Sequence, residues 1–188
     1  TLAAKLEREQ ALSVEDALRL FVPVASAVGT AHARGIVHRD IKPANIFLAR
    51  EGDDVRVKIL DFGIAKQLAP LADEPGLRTQ TGSSLGTPCY MAPEQAMGER
   101  LLDHRADIWS LGVIFYEVLS GARPVEGENA ARMMVSLLST GIIPLEQLVP
   151  SLPPQLSALV GRMLSRDAAL RPEDLREVAA TLSSLTSE

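Results

Sequence analysis

Cysteine is all but absent from this chain. The single Cys89 cannot close an internal disulfide, which suits a reducing compartment. Aromatic residues make up only 4% of the chain, against 46% apolar residues in total, so Leu, Val, Ile and Ala must fill the core. A run of about 18 uncharged apolar residues, enough for a membrane span, does not occur. The nearest approach, 109–119, is short and carries Ser110 and Glu117. Nothing in the sequence reads as a secretory leader. Basic runs are lacking too, and the net charge is −5, which argues against nucleic acid as the main partner. The chain opens on Thr1, already in helical sequence. The expectation is an excised piece of a cytoplasmic protein, with any membrane anchor outside this segment.

What is present fits one domain. A chain of 188 residues can bury roughly 70% of its unfolded surface. Residues 1–9 form a short amphipathic, charged stretch that reads as helical. Ser13-Val14-Glu15-Asp16 reads as a capping box, because the Ser13 hydroxyl can bond a free N–H of a first turn. Leu18, Phe21, Val22, Ala25, Val28 and Ala31 then repeat at helical spacing with one buried face. Pro23 interrupts that pattern. A mid-helix proline costs about 3 kcal/mol, which predicts a kink or reset near Phe21. Gly35 suits the end of the helix. Ile46-Phe47-Leu48 and Val55 to Ile59 read as two strands joined by a turn at Glu51-Gly52-Asp53-Asp54. From Gln67 to Gly86 the pattern lapses into a long loop, of the kind that is functional or disordered inside a compact domain. Beyond Asp103 the reading is helical. Asp107 to Leu119 is apolar nearly all round, the mark of a buried central helix, ended by Gly121 and Pro124. Three more helices are predicted at 129–139, 154–165 and 172–185, with Pro154 and Pro172 in first turns.

The chemistry-bearing residues are concentrated in His38-Arg39-Asp40-Ile41-Lys42-Pro43-Ala44-Asn45. This stretch holds a carboxylate, an ammonium and a carboxamide. Such a set can take a proton from a hydroxyl, neutralise a phosphate and hold a metal. Asp61-Phe62-Gly63 follows, and Ala92-Pro93-Glu94 lies beyond it. In this order the motifs resemble the eukaryotic-type protein kinases, and more closely their bacterial Ser/Thr members.

The resemblance implies a mainly α (α+β) fold: the helical C-terminal lobe of a kinase domain with a small β-hairpin, the N-terminal lobe absent. It would divide into a catalytic loop at 38–45, an activation segment at 61–94 and a helical subdomain at 103–188. It further implies transfer of the γ-phosphate of ATP to Ser or Thr hydroxyls of protein substrates, with Mg2+. Asp40 would orient the hydroxyl and accept its proton. Lys42 would reach the transferring phosphate, and lysine at this place is the Ser/Thr-type choice. Asn45 and Asp61 would hold the metal, a donor set that suits Mg2+ better than a dense acidic cage. Phe47, Ile114 and Val118 match positions under the adenine ring or supporting it, where plain core is an equal reading. His38 would pack on Phe62, and Asp107 would bond the backbone near His38 and Arg39. Thr87 would bond Asp40 and Lys42 in a peptide-docking loop. Glu94 would pair with Arg171.

Arg39 next to Asp40 marks the class switched on by phosphorylation. Arg39 and Lys66 could pair with a phosphate, with Thr79 and Thr81 the favoured autophosphorylation sites; autophosphorylation or dimerisation is the partner expectation. Ala44 stands where kinases that favour basic substrates often carry Glu, so such a preference is not implied. Cys89 reads as incidental, and His32 and His104 as structural or surface residues. The 188 residues contain no G-x-G-x-x-G loop, no strand lysine in a V-A-I-K-like setting and no matching helix glutamate. The expectation is a chain with negligible activity by itself and an apolar patch on its uncovered upper face. The alternative is a non-catalytic, kinase-like binding or scaffold module.

Overall fold

The computed structural model describes residues 1–52, 54–62, 88–99 and 101–186. In chain order the elements are α1 (Leu2–Glu9), α2 (Val14–His32), β1 (Ile46–Glu51), β2 (Asp54–Ile59), α3 (Pro93–Ala96), α4 (Arg105–Ser120), α5 (Ala130–Ser139), α6 (Leu145–Leu148), α7 (Pro154–Met163) and α8 (Leu175–Leu185). Tight 3-10 turns stand at Pro43–Asn45, Pro88–Tyr90 and Ala168–Leu170. Among the described residues the result is a helix-rich body with one two-stranded antiparallel sheet.

α4 is the axis of that body. Residues Ala106 to Tyr116, together with Val118 and Leu119, are all buried, so this helix has no solvent face and must be wrapped on every side. α2 covers it from one side, with the Phe21 and Phe115 rings stacked 4.1 Å apart. α7 covers it from another. There the absence of a side chain matters: a Cβ on Gly112 would stand 2.9 Å from the Met163 Cβ. At its end Gly121 adopts φ 72° and returns its N–H to the Glu117 carbonyl, a left-handed stop that glycine adopts without steric penalty.

The other helices begin where local chemistry favours it. The Ser13 hydroxyl accepts the Asp16 N–H at 3.1 Å and donates to the Asp16 carboxylate. The reciprocal half of the cap therefore runs through the hydroxyl rather than the Ser13 backbone. Asn129 caps α5 through the Arg132 N–H, and Pro154 opens α7. Of the kink or reset expected near Phe21, α2 shows no reset. It runs unbroken from Val14 to His32 with Pro23 inside, with neither a reset nor a second start. Pro23 is exposed, so the carbonyl it leaves unbonded faces water, while Leu18, Phe21, Val24, Ala25 and Val28 stay buried. Packing outweighs the local penalty. α8 begins at Leu175 rather than Pro172, because the Asp174 carboxylate accepts the N–H groups of Arg176 and Glu177 and so sets the start.

The hairpin pairs Ile46 with Ile59, Phe47 with Lys58 and so on to Glu51 with Asp54, turning through Gly52 at φ 65°. Each strand is longer than the sequence pattern suggests. Phe47, Val55 and Leu60 remain exposed, which gives the expected apolar surface on this element in part. The faces of α1 and β1 nearest the core are covered, with Leu2 and Ile46 fully enclosed. Among the described residues no helix is long and apolar enough to cross a membrane.

Gly112→Val should lower stability by about 1–3 kcal/mol in urea unfolding, despite the poor helix propensity of glycine. An unchanged midpoint would mean that α4 and α7 do not meet there.

Candidate active site

The loop between α2 and β1 is held from beneath by one carboxylate. Asp107, in the first turn of α4, is fully buried. Its Oδ2 accepts the His38 N–H at 2.7 Å and its Oδ1 accepts the Arg39 N–H at 2.7 Å. His32, at the end of α2, places Nε2 2.8 Å from Oδ2. A buried carboxylate needs such partners, and hydrogen bonds to a charged acceptor are about twice as strong as neutral ones.

Arg39 itself has φ 64°, a left-handed conformation that costs a side-chain-bearing residue roughly 1–2 kcal/mol. It is fixed there from several directions. Its N–H is on Asp107, its carbonyl accepts Gln95 Nε2 at 3.1 Å, and its guanidinium donates to the Leu102 carbonyl at 3.3 Å. The turn this enforces delivers Asp40 to the outer side of the loop. His38 Nδ1 accepts the Asp40 N–H at 3.3 Å while Nε2 donates to the Leu60 carbonyl at 2.8 Å. Those two bonds select the tautomer with its proton on Nε2.

The polar ends then gather. Lys42 Nζ lies 2.9 Å from Asp40 Oδ2. Asn45 donates its Nδ2 to the Asp40 carbonyl at 2.9 Å. Its own carbonyl accepts the Leu60 N–H at 2.8 Å. Leu60 is thereby tied to both His38 and Asn45, and the Phe62 ring lies 4.8 Å from the His38 ring. Asp61, at φ 55° and exposed, stands between two anchored neighbours. Its backbone is held beside the loop that carries Asp40.

This donor set fits a magnesium ion. With Nδ2 committed to the Asp40 carbonyl, Asn45 has its amide oxygen left for a hard cation, and Asp61 supplies a single carboxylate. Mg2+ is commonly held by one or two such ligands plus phosphate oxygens and water. Among the described residues no group of three His, Cys, Asp or Glu side chains forms a denser cage.

A second segment faces the loop. Arg39 to Lys42 look across a narrow gap at Tyr90, Met91, Gln95 and Ser110. Ser110 Oγ donates to the Tyr90 carbonyl at 2.7 Å, and the Tyr90 hydroxyl donates to Glu117 Oε2 at 2.6 Å. Arg123 holds the other oxygen of Glu117 at 3.1 Å and approaches Cys89 Sγ at 3.6 Å, so that thiol is a buried packing element. Glu94 is gripped by both ends of the Arg171 guanidinium at 2.7 and 2.8 Å. The Arg171 side chain is fully buried, lies over the Trp109 ring and also donates to the Arg105 and Ser165 carbonyls.

Of the residues singled out in the sequence, Asp40, Lys42, Asn45 and the Asp61 backbone come together, with His38, Arg39, Phe62 and Asp107 beneath them. Glu94 and Arg171 meet as a pair. Phe47 is exposed on β1 and open to a ligand. Ile114 and Val118 are fully enclosed in α4, in keeping with a supporting or plain core place. Lys66, Thr79, Thr81 and Thr87 lie outside the described residues. Sequence reasoning gave no site role to His32, Gln95 or Glu117. Their partners lie far along the chain, and no local pattern marks them. His104 is structural, bonded to the Glu173 carbonyl at 2.8 Å.

The chain, a helical body presenting this loop above a buried aspartate, belongs to the protein kinase domain family, whose model matches residues 1–181. It is 46% identical over 157 residues to the serine/threonine-protein kinase Pkn1 of Myxococcus xanthus, covering 80% of this chain and 21% of that protein. It is 38% identical over 173 residues to pkn2 of the same organism, covering 91% of this chain and 20% of the relative. To the serine/threonine-protein kinase PknA of Mycobacterium tuberculosis it is 40% identical over 172 residues, 90% of this chain and 37% of that one. The chain thus spans a fifth to just over a third of the length of these relatives.

Arg171→Ala should destabilise the fold by about 3–5 kcal/mol, because it strands the Glu94 carboxylate; a loss in urea unfolding under about 1 kcal/mol would contradict a buried clamp. Tyrosine gives a second check. Burial and the bond to Glu117 hold the Tyr90 phenol well above the ordinary tyrosine range, and burial raises Tyr116 as well. Above about pH 10 the unfolded chain loses these protons and the folded chain keeps them. The folded state then binds more protons, so stability falls as pH rises past that value. Tyr90→Phe should flatten the decline.

Proposed function

We propose that this chain is the C-terminal lobe of a serine/threonine protein kinase, with the catalytic loop at 38–45, the activation segment at 61–94 and the helical subdomain at 103–188. The parent enzyme moves the γ-phosphate of ATP to a Ser or Thr hydroxyl of a protein. The observation that carries this reading is the Asp40–Lys42 pair at 2.9 Å on a loop whose backbone is pinned by Asp107.

The substrate hydroxyl oxygen attacks the γ-phosphorus while the bond to the β–γ bridging oxygen breaks, and ADP leaves. Asp40 orients the hydroxyl and takes its proton. Lys42 places a point charge beside the transferring phosphoryl group. Little covalent help is needed in such a reaction; alignment and charge neutralisation supply most of the rate. Asn45 and Asp61 would hold Mg2+, which when bound neutralises phosphate charge. Phe47 offers an apolar surface to the adenine. Thr87 would serve peptide docking and Thr79 and Thr81 would accept phosphate by autophosphorylation; dimerisation of the enzyme is a further expectation. The 188 residues contain no glycine-rich phosphate loop. A cytoplasmic setting accords with a lone, unbridged Cys89.

Full-length protein incubated with Mg2+ and ATP should phosphorylate a Ser/Thr substrate and itself, with its own phosphate mapping to Thr79 or Thr81. Asp40→Asn should lower the transfer rate by about 10²-fold or more, with stability within about 0.5 kcal/mol of the parent. Undiminished transfer by that variant would reject the assignment of Asp40. Absence of transfer in the parent would favour a non-catalytic module.

A further inference from the structure

Another cleft lies at the far end of α4. Asp107, under the catalytic loop, and Tyr116, in the cleft wall, are separated by roughly 14 Å along the helix at 1.5 Å per residue. The cleft has a volume of about 540 Å3, within the range of small-molecule sites. No residue of the 38–45 loop lines it.

Its walls are apolar and stiff. Ile142, Leu152, Val160 and Leu164 provide much of the surface, and Pro144, Pro150 and Pro154 also line it. Fixed proline φ angles mean that little ordering is left for a ligand to impose. The Tyr116 hydroxyl is already spent, donating to the Ile143 carbonyl at 2.9 Å. On α7, Gly161 faces the space: a Cβ there would meet no atom within 4 Å. A mid-helix glycine is unfavourable for the helix, and packing does not demand this one. Its effect is to leave the cleft open.

One charged side chain stands in this apolar lining. Glu146, exposed at the mouth, accepts a hydrogen bond from the Ser157 hydroxyl. No lysine, arginine or histidine among the described residues pairs with it. We propose that this cleft binds a small amphipathic cation, its ammonium head on Glu146 and its apolar body between Tyr116 and α7. The Ser157 bond lowers the Glu146 pKa, so the carboxylate is charged at neutral pH. An apolar body displaces water that the walls hold poorly, and a cationic head gains a charge-assisted bond. An anionic head would be repelled. This reading is independent of the kinase assignment, because its readout is binding alone.

The probes are decylammonium, decanol and decanoate, titrated calorimetrically into the intact chain below their aggregation concentrations. Decylammonium should bind once, about tenfold or more tighter than decanol, with decanoate weakest. Glu146→Gln should bring the amine and the alcohol to within roughly threefold of each other. Gly161→Leu should abolish binding of the amine without lowering the melting temperature, and Gly161→Ala should weaken it. Equal affinity for amine and alcohol in the unaltered chain would overturn the proposal. So would amine binding that survives in a folded Gly161→Leu.

Discussion

One buried carboxylate organises the site. Asp107 accepts two backbone N–H groups from adjacent residues and lies against His32. Without it, the buried N–H of His38 and the part-buried N–H of Arg39 would lose their acceptor. An unsatisfied buried donor costs about 1–3 kcal/mol, and Arg39 adds the strain of its left-handed backbone. Neither burden is tolerable unless the loop closes on this aspartate. The direction in which Asp40 points therefore follows from a residue far along the chain, on a helix with no solvent face.

Charge elsewhere is sorted by the same rule. Lys5–Glu9 and Arg19–Glu15 are exposed helix pairs, each contributing a few tenths of a kcal/mol. Arg171 differs in kind. Its guanidinium is enclosed and divides its donors between the two Glu94 oxygens and three backbone carbonyls, those of Arg105, Ser165 and Arg166. Burying an ion pair yields little net stability, but removing half of one is severe. Its effect is geometric: the segment that begins α3 is fastened to the end of the helical body, so Gln95 can reach the Arg39 carbonyl. The two anchors, Asp107 and Arg171, hold the two walls of the site.

Much of this was readable from the amino acids because it is local. Ser13, Asn129, Pro154 and Gly121 mark helix ends by their own chemistry, and α4 declares itself by apolar residues on every side. The hairpin followed from two β-rich runs and a Gly-containing turn. The failures come from competition that no window of sequence displays. Pro23 stays inside α2 because the face opposite it is packed. Pro172 loses the start of α8 to Asp174. α3 and α6 are four residues each, too short to show a period. In the site, motif resemblance supplied Asp40, Lys42, Asn45 and Asp61, and geometry supplied His32, Gln95 and Glu117. Those last three act on partners distant in sequence, where spacing carries no information.

Burial divides the motif residues by task. His38, Asp107 and Arg171 are almost wholly enclosed, and each is saturated by hydrogen bonds within the chain. Asp40, Lys42, Asp61 and Phe47 keep part of their surface open, although an exposed Phe47 and a left-handed Asp61 gain nothing for stability. A chain selected for folding alone would cover the first and relax the second. Fixed, fully bonded supports lie below, and the side chains above them keep part of their surface open to whatever binds there.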